Sequence, residues 1–164
     1  MGTDNSTKLS KVSVSLPFGM GTMEWLSDES QRRAAWELYV ELVTRVSVQP
    51  LDLDHGLARE ALTSLHALFG VTREILRRHG PGVGAVRESV GGIAIAVLNQ
   101  GVRPFLAKWH PALLEWEETR RPGCSVKTHE RNWDQEPMLR GELEKLRNQL
   151  GKYAKALGKI ANVF

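Results

Sequence analysis

Apolar residues recur along this chain with two different periods. Val12, Val14 and Leu16 alternate with Ser13 and Ser15, the period-two pattern of a short strand. Pro17 to Gly21 reads as a turn, and Thr22 to Leu26 as a returning strand. A lone hairpin is marginal in water. This one is expected to lie on the rest of the chain or on a partner. Residues 1–10, ahead of it, are polar and read as a disordered tail.

From Ser27 onward the period becomes helical. Ser27 is a good N-cap, with Asp28 and Glu29 in a favourable first turn. The predicted apolar face of this first helix is Trp36, Tyr39, Val40, Val43 and Val46, and Pro50 ends it. A second helix is expected from Asp54, with Asp52, Asp54 and His55 serving its N-terminus. Its apolar positions run from Leu57 through Leu62, Leu65 and Phe69 to Leu76, the cleanest 3-4 spacing in the chain. Arg77, Arg78 and His79 suit its last turn, and Gly80-Pro81-Gly82 stops it.

The third helix is predicted over 85–120. Pro104 and Pro111 interrupt it, depriving the carbonyls of Gln100 and Ala107 of their donors. The pattern fits one kinked helix, or two with the break at Gly101 and a restart at Val102 or Arg103. Its small residues Gly91, Gly92, Ala94, Ala96 and Gly101 allow close helix packing. Pro122 to Asn132 reads as a polar loop. A fourth helix follows from Asp134, with an apolar line from Leu139 through Leu150 and Ile160 to Phe164. The expected architecture is all-α: an antiparallel four-helix bundle with a kinked or broken third helix and a short N-terminal hairpin-like or extended segment. Residues 11–164 form its single domain.

Composition narrows the function classes. A chain of 164 residues can bury roughly 70% of its unfolded surface and needs no metal or disulfide to fold. A net charge of +3 does not by itself argue for nucleic acid or an anionic membrane. One cysteine, Cys124, cannot pair internally, which predicts a reducing, cytoplasmic setting. The longest uncharged run, Ser89 to Val102, is shorter than a membrane span, so no stable insertion is expected. Metal-ligand spacings, phosphate loops and nucleophile elbows are missing from the sequence. No cofactor and no small-molecule ligand is therefore predicted.

Three arginine-to-histidine spacings hold the candidate chemistry. Arg103 and His110 read RPFLAKWH, Arg59 and His66 read REALTSLH, and Arg73 and His79 read REILRRH. The pattern resembles the R-x(4–6)-H signature of the HEPN ribonucleases, which are helical bundles. The resemblance covers eight residues and implies metal-independent RNA cleavage at a dimer cleft, with Arg103 and His110 as the favoured catalytic pair. That family often has a polar residue after the arginine; here Pro104, Glu60 and Glu74 stand there.

Two further sets are candidate binding residues. Lys145, Lys152 and Lys159, with Lys155 beside them, form a basic stripe that could meet nucleic acid or simply keep a helix face solvated. Trp109 and Trp116 share a helix face and, where exposed, would anchor a partner. The stretch RPFLAKWHPALLEWE is similar to stretches in bacterial proteins. The leading expectation is a non-enzymatic helical interaction module, one component of a multi-protein bacterial system, contacting another protein or itself. Two alternatives are the ribonuclease and a membrane-disrupting bundle similar in plan to the four-helix executioner domains of cell-death proteins.

Overall fold

The computed structural model describes residues 10–45, 49–52, 54–84, 86 and 88–164. The expected tail lies outside them except for Ser10, which opens strand β1 (Ser10–Ser15). Strand β2 (Thr22–Ser27) pairs with it antiparallel, Val12 opposite Trp25 and Val14 opposite Met23. Between the strands, Phe18, Gly19 and Gly21 all take positive φ. Only glycine does so freely, so the turn spends strain at Phe18. Val14, Leu16 and Trp25 are buried, and β1 packs on the last helix, so the hairpin lies on the chain's own helices.

The rest of the chain is mostly helical. Helix α1 (Glu29–Val43) is capped by Asp28 rather than Ser27, its carboxylate accepting from the Gln31 amide at 2.9 Å. The buried face is Ala34, Ala35, Leu38 and Leu42, which corrects the predicted one. Trp36 is 49% exposed and stacks on Tyr39. The prediction followed the largest apolar residues. The helix instead turns its alanines inward, where small side chains allow neighbouring backbones to come close. Val46 lies outside the described residues.

Helix α2 (Ala58–His79) buries the face its periodicity predicted, from Ala58 and Leu62 to Phe69 and Ile75. Its start is later than expected, and Asp52 and Asp54 do not cap it. Asp52 closes a local turn instead, accepting from the Asp54 amide at 2.9 Å. The cap arrives from far along the chain. The Glu130 carboxylate accepts from the amides of Ala58 at 2.8 Å and Arg59 at 3.5 Å.

Helix α3 (Val90–Ala96), a π-helical segment (Val97–Val102) and helix α4 (Arg103–Glu117) run on without a break. Of the two readings of this stretch, the single interrupted helix holds. Pro104 sits in the first turn of α4, where the wider π turns have already shifted the hydrogen-bond partners. Pro111 lies inside α4. Both it and Ala107 are exposed, so the carbonyl that loses its donor is on the wet side. Gly91 abuts the backbone of Val83 and Gly84, and Gly101 lies beneath the Phe18 ring. A methyl group at either position would overlap these neighbours, so Gly91 and Gly101 serve close packing against a turn and the hairpin rather than against another helix. Among the described residues, Val90–Glu117 is the one helix long and apolar enough to cross a membrane. The uncharged-run count stopped at Arg103 and missed it. Half of its most apolar window is buried within the fold.

The predicted loop after α4 contains helix α5 (Val126–Arg131), with Ser125 as its N-cap. The signal was a Ser-x-x-Thr cap ahead of a short polar helix with no apolar period to reveal it. Helix α6 (Glu136–Ile160) carries Pro137 in its first turn and buries Leu139, Leu143, Leu146, Leu150, Tyr153 and Ile160 as predicted. Phe164 is 69% exposed, contrary to its expected core position, though its ring covers Gly158 and meets Tyr39 edge-on. Helix α1 packs against α2, α3 and α6, and α2 packs against α4.

Removing the Glu130 carboxylate leaves buried amides without an acceptor. Glu130→Ala is expected to lose about 2–4 kcal/mol of stability, and Glu130→Gln less, because its amide oxygen still accepts. Urea denaturation measures both. A Glu130→Ala midpoint equal to that of the native chain would contradict this account of the cap.

Candidate functional site

Side chains seven residues apart on a helix share a face, two turns apart. Arg59, His66 and Arg73 form one such row on α2; Arg103, His110 and Glu117 form another on α4. The rows run antiparallel. Arg59 donates through Nε to Glu117 Oε1 at 2.7 Å and through Nη1 to His110 Nδ1 at 3.0 Å. At the far end the Arg103 guanidinium lies 4.7 Å over the Phe69 ring. Between the rows is an open groove of about 480 Å³, edged by His66, Arg73, Arg103 and His110 and floored by Phe69 and Leu106.

The structure therefore brings the predicted pair, Arg103 and His110, into one groove. It adds His66 from the second spacing and Arg73 from the third. His79 is elsewhere, bound to Glu37 at 2.8 Å alongside Arg78. All three spacings are visible in the sequence, where each reads as a separate candidate pair. The clue that would have joined them is that Arg59, His66 and Arg73 are themselves a seven-residue series.

The hydrogen bonds decide what this groove can do. Arginine only donates, so Nδ1 of His110 must accept. The neutral His110 ring then carries its proton on Nε2. In that state the ring can donate into the groove but has no free lone pair with which to take a proton. Among the described residues, no carboxylate, hydroxyl or thiol lines the groove. The site is rich in donors and positive charge, which suits holding an anionic group. No group of three or more potential metal ligands occurs among the described residues.

The remaining candidates are dispersed. Trp109 is fully buried, which corrects the expectation that it could anchor a partner. Its indole N–H donates to Glu142 Oε2 at 2.6 Å, and Lys108 donates to Oε1 of the same carboxylate at 2.6 Å. These bonds, that from Lys108 foremost, hold the Glu142 carboxyl below the usual glutamate range. Trp116 is half-buried, stacked on His129 at 4.5 Å, with its N–H donating to the His129 carbonyl at 2.8 Å. Lys145, Lys152, Lys155 and Lys159 are exposed along α6, and none of them lines the groove. Lys145 borders a separate cleft beside Lys108 and Glu142. No family model, no curated protein and no solved structure matches this chain.

Two measurements check this chemistry. Nitrogen-15 NMR at about pH 8.5, well above the ordinary imidazole value, should find His110 as the Nε2–H tautomer, and Arg59→Met should release it to a mixture. An Nδ1–H tautomer in the native chain would refute the assigned roles. The second concerns Glu142, whose folded-state pKa is lowered. Stability from that group is therefore present above the ordinary value of 4.5 and is lost as pH falls through the lowered folded value. Glu142→Gln should be less stable than the native chain at neutral pH, with the gap closing in acid. A gap that stays constant with pH would show that charge plays no part.

Proposed function

We propose that this protein is a non-enzymatic helical interaction module that works by contact with another protein or with a second copy of itself. In this reading α1, α2, the α3–α4 stretch and α6 pack as an antiparallel four-helix bundle, and the chain serves a multi-protein bacterial system in the cytoplasm. The observation that supports it most is the Arg59–His110 contact. It occupies the lone pair that His110 would need to act as a general base, while the two groove arginines offer only donors. Anion holding needs no more than this. Proton transfer does.

The ribonuclease reading is the second. It is favoured by one observation, that Arg103 and His110 line the same groove. Incubation of the purified protein with single-stranded RNA in the presence of a chelator separates the two. The interaction reading expects intact RNA. Cleavage that disappears in both Arg103→Ala and His110→Ala would replace it with the nuclease.

A further inference from the structure

We propose that the groove between α2 and α4 is the docking site for an amphipathic acidic helix of a partner protein. This rests on the interaction-module reading above and gives its partner a chemistry. Three features of the groove point to it.

The first is charge. Its edges are two arginines and two histidines, and no carboxylate faces them among the described residues. Arg73 enters no ion pair among the described residues, and Arg103 only shares its Nε with the Asn99 amide oxygen at 3.2 Å. Both guanidiniums keep donors for an incoming carboxylate.

The second is repeat length. Each edge carries one arginine and one histidine seven residues apart, His66 and Arg73 on α2 and Arg103 and His110 on α4, which is about 10.5 Å along the axis. A partner helix with a carboxylate every two turns has the same repeat. An extended peptide presents same-face side chains only about 6.7 Å apart and falls out of step.

The third is the floor. Phe69 and Leu106 floor it from below, largely buried, and the exposed Ala67, Gly70, Ala107 and Pro111 supply the accessible apolar surface. Nothing lies within 4 Å of where a Cβ on exposed Gly70 would stand. That open space at the glycine leaves room for a partner side chain to approach the α2 backbone. The same floor disfavours single-stranded nucleic acid. Bases bind by stacking on aromatic faces; the floor ring, Phe69, is mostly buried and covered by Arg103, which leaves only the small imidazoles of His66 and His110.

The probe is a synthetic helical peptide of about five turns, with leucine along one stripe and glutamate flanking it at seven-residue intervals. Titrated into the full chain, it should bind, with an affinity that falls as salt rises. Arg73→Glu combined with Arg103→Glu should weaken it by at least about tenfold. Gly70→Leu should weaken it comparably by filling that space. That variant leaves the charges alone and improves helix propensity, so lost binding could not be laid to misfolding. The same peptide with lysine for glutamate should not bind. The proposal is overturned by failure of the glutamate peptide to bind, by binding that ignores these substitutions, or by oligouridylate binding more tightly through the same residues. If the peptide fails while RNA stays intact, only the docking site is lost. If RNA is cut through Arg103 and His110, the parent reading goes with it.

Discussion

A buried carboxylate needs its lone pairs occupied, and the first turn of a helix needs acceptors for its orphan amides. In this protein each need answers the other. Glu130, 4% exposed, meets the open end of α2 and stands 3.8 Å from the Arg140 guanidinium. Arg140 is itself paired with Glu136 and donates to the Asp52 carbonyl at 3.3 Å. Glu130 and Arg140 together thus tie α5, the start of α2, the start of α6 and the loop ahead of α2 into one corner. Trp116 and Trp133, stacked 6.5 Å apart, hold α4 to the same corner.

The groove inherits its geometry from that corner. The second amide bound by Glu130 belongs to Arg59, whose side chain reaches across to His110 and Glu117. Fixing the Arg59 backbone therefore fixes the near end of the α2–α4 pair, and the Arg103–Phe69 contact fixes the far end. The rim groups are exposed and yet their supports are not. This is how a surface site can be held in one shape without a ligand present.

How much was legible in the sequence depended on the range of the interaction. The hairpin and the long faces of α2 and α6 follow from local periodicity, and residues such as Val14, Leu65 and Leu146 are buried where the pattern put them. The face of α1 was misread because Trp36 offers far more apolar area than Ala34 or Ala35, while close backbone approach favours the alanines. Helix α5 was missed because it is short and polar. Its one buried residue is a glutamate, which no apolar pattern reports. The groove was half legible: its four edge residues were named, but their convergence depends on α2 and α4 lying antiparallel, and no spacing within one helix reveals that.

The π-helical segment Val97–Val102 has a consequence for evolution of the surface. A π turn houses about one more residue than an α turn, and each residue of an α-helix rotates the chain by about 100°. Everything downstream of that segment is therefore dialled round by roughly a quarter-turn relative to a regular continuation. A chain lacking a single residue there would be a straighter helix of ordinary appearance. Its Arg103 and His110 equivalents would point away from α2, and no edge would form. The π segment, which also accommodates Pro104 at the start of α4, sets the azimuth of the whole rim.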